Sequence, residues 1–202
     1  LVISFAARKS GGIRNAARSK VTPMQIFRGV LLTGEILVAV TGFVLLGLVE
    51  AHAVFAVYPL LIAALSGPVL GEKVGWRRWV AIGIGFVGVL IILQPGFGVF
   101  QTEALIPLLA AFMFALYGLL NRWVAQYDTS AVSFFWTGVS GAVVMTCVGF
   151  WYWEPMVGID WAWMALLCVT SAGSHYLLIR AYEVAEASAI QPFAYLQLVF
   201  AS

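Results

Sequence analysis

Charge is what this 202-residue chain has least of: Asp, Glu, Lys and Arg together make up 10% of it, against 62% hydrophobic residues. A soluble domain is roughly a quarter charged. So few charges cannot solvate a globular surface, which excludes disordered, collagenous and nucleic-acid-binding chains. Cysteine is also scarce. Cys147 and Cys168 both lie inside apolar runs, so no disulfide framework of a secreted domain is indicated. There is no HExxH, no Cys/His cluster with metal-ligand spacing and no Walker loop, so neither metal nor cofactor is expected. The chain also lacks the charged n-region that opens a signal peptide.

What is present in abundance is apolar run. The mean hydropathy is +0.98, and a bilayer is crossed by about 20 apolar residues. Runs cover about Phe27–Val49, interrupted by Glu35, then Ala53–Leu70, Trp79–Leu93, Ala104–Val124, Ala131–Trp153 and Trp161–Ile179. Leu1–Ala7 precedes them like the end of a helix whose start is missing, and a last run begins near Ala187 and is cut by Ser202. This predicts an all-α membrane protein, with six full spans, a fragment in front and a partial span behind. Lipid cannot satisfy exposed backbone groups, and nothing alternates with the rhythm of a membrane barrel. Glu50 and His52 are expected to mark a tight turn, and Pro59 and Pro192 to kink helices in their middles.

The 11 basic residues all fall at alternate connections: Arg8, Lys9, Arg14, Arg18, Lys20 and Arg28, then Lys73, Arg77 and Arg78, then Arg122, then Arg180. The connections between hold Glu50, Glu103, Glu154 and Asp160. The positive-inside rule places the basic side in the cytoplasm. The connections near Arg14, Lys73 and Asp128 are then inside, and those near Glu50, Gly98 and Glu154 outside. Trp76, Trp79, Trp123, Trp151, Trp153, Trp161 and Trp163 cluster at run ends, as an interfacial belt does. Arg180 reads as a cytoplasmic anchor.

The chain also repeats itself. Val49-Glu50-Ala51-His52-Ala53-Val54 resembles Ala185-Glu186-Ala187-Ser188-Ala189-Ile190 at an offset of 136 residues. The same offset lays the Phe27–Val49 span on Trp163–Ala185. Five spans separate each segment from its counterpart, and an odd number inverts the second copy. Inverted repeats around a midplane site are the architecture of many secondary transporters.

Phe55-Ala56-Val57-Tyr58-Pro59-Leu60, Leu70-Gly71-Glu72, Trp79, the glycines 83, 85 and 88, and Leu93-Gln94-Pro95-Gly96 resemble the first repeat of an EamA-type member of the drug/metabolite transporter superfamily. Ala181-Tyr182-Glu183 and Ala187-Ser188-Ala189-Ile190-Gln191-Pro192-Phe193-Ala194-Tyr195 resemble the matching stretch of the second. The resemblance implies a polytopic bundle of two inverted five-helix repeats. The first would be 1–97, lacking helix 1 and most of helix 2. The second would be 104–202, lacking the end of helix 9 and helix 10. It further implies a permease of the bacterial inner membrane, not an enzyme. The substrate would be a small organic metabolite: amino-acid-like, S-adenosylmethionine-like or drug-like. Its partners are the bilayer and that small molecule, with coupling to a proton gradient and homodimerisation left open.

Candidate site residues are the polar groups stranded in the spans. Glu35 is an intramembrane carboxylate, functional by default. Tyr117 and Asn121 share a helix face at i, i+4, as do Ser171 and His175, and Gln191 and Tyr195. With Tyr58, the expected lining of a substrate cavity is Glu35, Tyr58, Tyr117, Asn121, His175, Gln191 and Tyr195. The bland alternative for each pair is interhelical hydrogen bonding. Glu35, His175 and Tyr195 are expected to share one water-accessible site. Glu72 and Lys73 read equally well as a plain interfacial turn.

Two competing motifs are present. Gly83-Ile84-Gly85-Phe86-Val87-Gly88 matches GxGxxG, but a dinucleotide site needs a preceding strand. Inside a span, small residues serve close helix approach instead. Gly138-Val139-Ser140-Gly141 with His175 resembles the serine motif and distant histidine of rhomboid intramembrane proteases. That alternative requires Ser140 within hydrogen-bond reach of His175.

Overall fold

The computed structural model describes residues 2–93 and 102–195. Among them all regular structure is helical. In chain order the helices are α1 (Val2–Ser10), α2 (Ile13–Ala16), α3 (Thr22–Leu46), α4 (Leu48–Phe55), α5 (Tyr58–Leu70), α6 (Trp76–Leu93), α7 (Leu105–Val124), α8 (Ser130–Trp151), α9 (Gly158–Val184) and α10 (Ala187–Ala194). A 3-10 turn, Thr102–Ala104, leads into α7.

Five stretches are long and apolar enough to cross a bilayer: Thr22–Leu46, Leu48–Leu70, Thr102–Val124, Ser130–Trp151 and Gly158–Val184. The protein is a polytopic helical membrane protein. The sixth expected span corresponds to α6, 18 residues that end where the described residues end. The Gln94-Pro95-Gly96 motif and the Gly98 connection lie outside the described residues, as does the last run beyond Tyr195.

Three local expectations are corrected. The chain turns at Gly47, with φ of 91°, and not at Glu50 and His52, which lie inside α4. Only glycine adopts that backbone region without a Cβ clash, so the break falls where the side chain is missing. Pro59 is not in mid-helix either. It stands at the first turn of α5, where a missing N–H breaks no ladder, and the proline inside α5 is Pro68. Third, Arg28 belongs to no solvated basic connection: it is 0% exposed.

The chain divides into two compact units, Leu1–Thr33 with Val124–Val184, and Gly34–Trp123 with Ala185–Ser202. Each draws helices from both halves of the sequence. The first unit is built on α1 packed against α8, with α2 and α9 beside them. Its apolar core is Ala6, Ala16, Phe134, Phe135 and Ile179. Small residues let these backbones close up, as they do between membrane helices. A Cβ on Gly138 would meet Val2 Cγ1 at 2.5 Å. Phe5, Phe134 and Tyr176 meet edge to face, with centroids 4.9–6.0 Å apart.

The second unit packs α5 against α10 and α6, and α4 against α6. Gly42 faces Pro107 of α7, with 3.3 Å from a would-be Cβ to Pro107 Cδ. Gly34 lies against Met113 in the same way. The first half of α9 carries Trp161, Trp163, Leu166 and Leu167, all exposed, as a lipid-facing helix does.

Candidate functional site

Glu35 lies on the buried stripe of α3, which runs Gln25, Arg28, Leu32, Glu35, Ala39 at helical spacing. It is 4% exposed. Among the described residues its carboxylate makes no hydrogen bond and no ion pair. A carboxylate so placed in a membrane helix has no protein donor among the described residues to offset its desolvation.

Glu35 shares the second unit with five other predicted site residues: Tyr58, Tyr117, Asn121, Gln191 and Tyr195. Two of them meet around Phe114. Its ring stands edge-on to Tyr58 at 4.7 Å between centroids and lies 5.9 Å from Tyr117. Phe55 extends this aromatic chain toward His52, which stacks on Phe43 at 5.3 Å. Tyr117 is 0% exposed, Asn121 3% and Gln191 4%. The two amides turn back on their own helices: Asn121 Nδ2 donates to the Tyr117 carbonyl at 3.0 Å, and Gln191 Nε2 to the Ala187 carbonyl at 2.7 Å. Tyr195, half-buried, closes the C-terminal end of α10.

His175 belongs to the first unit. Its Nδ1 lies 3.2 Å from the Ser171 carbonyl one turn back, and Ser171 itself is exposed. Ser140, the other half of the protease reading, is buried against Gly29. No hydrogen bond joins Ser140 to His175, and the protease reading is not supported. Among the described residues no group of three or more His, Cys, Asp and Glu is placed to hold a metal ion.

Two polar clusters were not assembled by the sequence reading, although Glu72 of the second was visible there as part of a motif. The first, in the first unit, is built on Asp128 and Arg28. Asp128 accepts from the Ser19 hydroxyl, from the Lys20 backbone N–H at 2.9 Å and from Gln25 Nε2 at 2.9 Å. Arg28 Nη2 lies within hydrogen-bond distance of Gln25 Oε1 (2.8 Å), the Ser133 carbonyl (2.6 Å) and Thr137 Oγ1 (2.8 Å). The network fixes the entry of α3 to the start of α8. Its only sequence signal is two polar residues, Gln25 and Arg28, one turn apart at the head of an apolar run.

The second cluster, in the second unit, is built on Glu72. Its carboxylate pairs with Arg122 Nε at 3.3 Å and accepts the Ala187 N–H at 2.9 Å. It also accepts the Ser188 N–H and hydroxyl, each at 3.3 Å. The Gly71-Glu72 motif is therefore more than an interfacial turn, because its carboxylate caps another helix.

The chain is similar to several known membrane transporters. Residues 1–94 match the EamA-like transporter family. The S-adenosylmethionine uptake transporter of Rickettsia prowazekii (strain Madrid E) is 26% identical over 189 residues, 94% of this chain and 64% of that protein. The riboflavin transporter of Vibrio cholerae serotype O1 is 31% identical over 151 residues, 74% of this chain and 50% of that protein. Protein RarD of Streptomyces exfoliatus is 40% identical over 74 residues, 37% of this chain and 22% of that protein. The chain thus spans less than two thirds of the length of these relatives. No solved structure matches.

Proposed function

Starting from a membrane chain whose first 94 residues match the EamA-like transporter family, we propose that the whole protein is a secondary permease of the bacterial inner membrane. It moves a small organic metabolite by alternating access between two inverted repeats, with its basic connections in the cytoplasm and without covalent chemistry. The observation that carries the reading is Glu35: a carboxylate 4% exposed, with no hydrogen bond or ion pair among the described residues, on a helix long and apolar enough to span a bilayer.

Such a group is held in place by what it binds. A cationic or hydrogen-bond-donating substrate, or a coupling proton, satisfies it in turn. The buried Tyr58 and Tyr117 on either side of Phe114 supply flat faces in the same unit, suited to an aromatic or cationic metabolite. The relatives named as S-adenosylmethionine and riboflavin transporters make those two molecules the first to test.

The experiment is uptake of labelled S-adenosylmethionine and riboflavin, then of a wider metabolite panel, into vesicles holding the full-length protein, with and without a proton gradient. Glu35→Gln should lower uptake roughly tenfold or more, a loss of about 1.4 kcal/mol, with membrane levels unchanged. Parental uptake by Glu35→Gln would place the site elsewhere.

A further inference from the structure

The N-terminus of α10 does not cap itself. Its N-cap residue, Glu186, makes no side-chain hydrogen bond to the helix, and the first N–H groups of any helix need acceptors from outside the ladder. Those acceptors come from Glu72, just past the end of α5, on a stretch of chain 115 and 116 residues away. Ser188 is the meeting point. It directs its N–H and its hydroxyl to Glu72, while its Oγ accepts from Arg78 at 2.7 Å. Arg78 also pairs with Glu186 at 3.0 Å, and Arg122 of α7 with Glu72 at 3.3 Å. Two carboxylates and two guanidiniums thus join the α5–α6 connection, the first turn of α6, the end of α7 and the start of α10.

We propose that this junction of Glu72, Arg122, Arg78 and Ser188 is a latch, closed in this state, that holds the start of α10 at the basic end and releases it during each transport cycle. The proposal rests on the permease reading for the existence of a cycle. Three observations favour a latch over a permanent fastening.

Every bond in the junction is polar and can be traded for water. The Arg78 and Glu186 side chains are 40% and 47% exposed and that of Arg122 25%, and ion pairs so exposed hold weakly. The Glu72 side chain, by contrast, is 7% exposed, so its bonds persist until water enters. Finally, the two ends of the repeat differ. At the 136-residue offset Ala187-Ser188 corresponds to Ala51-His52. Ser188 has its polar atoms satisfied by Glu72 and Arg78, whereas the buried His52 Nδ1 has no hydrogen-bond partner among the described residues. The polar atoms of one position in the matched pair are satisfied, whereas at the other the ring stacks on Phe43 and its Nδ1 is left without an acceptor or donor. A device that alternates between two ends looks like this at one extreme of its cycle.

The test is a distance distribution. Spin labels go on Lys73→Cys and Ala189→Cys in the full-length protein, with Cys147 and Cys168 replaced by serine, in lipid nanodiscs. A latch gives two separations, and Glu72→Gln enriches the longer by about threefold or more. Arg78→Gln, at the exposed rim, enriches it less and provides the reading should Glu72→Gln fail to fold. One separation, the same in the parental protein and every folded variant, would overturn the latch and leave a structural cap. Two separations in a protein that moves no metabolite would sink the permease reading and leave the latch standing.

Discussion

Ser140 lies so close to Gly29 that a methyl group on the glycine would meet the serine Cβ at 2.5 Å and its Oγ at 2.8 Å. The Trp136 carbonyl, at 3.3 Å, bounds the same space. The serine that resembles a protease nucleophile is therefore part of the α3–α8 seam in the first unit.

Gly29→Ala should thus destabilise the full-length protein by about 1–3 kcal/mol, as overpacking does. Gly173→Ala, on α9 with nothing within 4 Å of the new Cβ, should leave it unchanged. Thermal unfolding of the two variants in detergent checks this. Equal melting temperatures would mean that the seam is looser than the structure has it.

Asp128→Ala should strand the Ser19 hydroxyl, the Lys20 N–H and one Gln25 donor together. Each buried donor left unpaired costs about 1–3 kcal/mol. Asp128→Asn keeps a carbonyl oxygen and should fall between parent and alanine. Melting temperatures in that order, read by loss of monodisperse protein on heating, are the expected outcome. An alanine variant as stable as the parent would show that water already serves these donors.

Gly47→Ala should weaken the second unit. Its φ of 91° lies where an L side chain is strained, by roughly 1–2 kcal/mol, and the new Cβ would also press on Glu50 Oε2 at 2.9 Å. Proteolysis at the α3–α4 corner should rise in membranes holding the variant. An unchanged cleavage rate would argue that another residue fits there without strain.

Single cysteines near Arg14, Lys73 and Asp128 should be silent to an impermeant thiol reagent in intact cells, and those near Glu50, Gly98 and Glu154 labelled. The background must lack Cys147 and Cys168, both free and exposed. Labelling near Lys73 without labelling near Gly98 would reverse the orientation and remove the basis of the repeat argument.

The spans were legible because lipid leaves little choice: Ala104–Val124 and Ala131–Trp153, read from hydropathy, fall within a residue or two of α7 and α8. The break at Gly47 was not legible, since glycine is common in membrane helices and only the backbone shows which one turns. Arg28 looked like part of the basic loop because charge counting sees position along the chain. Its acceptors, Ser133 and Thr137, come 105 and 109 residues later. Glu72 was visible as a motif, but its role depended on Ala187 and Ser188, which no local pattern connects to it.

Those separations have a consequence for biosynthesis. A ribosome delivers helices one at a time, N-terminal first, at about 5–20 residues per second. Gln25 and Arg28 enter the bilayer on α3 while Asp128, Ser133 and Thr137 are still untranslated. Glu72 likewise waits for Ala187. For several seconds the arginine has only Gln25 of its own helix, and the glutamate lacks its helix-capping partners, so water, lipid headgroups or the insertion machinery must serve the rest. Both lie near the basic ends of their helices, where a long side chain can reach the headgroups. The bonds that stitch each unit together are therefore also the last to form, and an interrupted chain would present these unmatched charges to the cell's quality control.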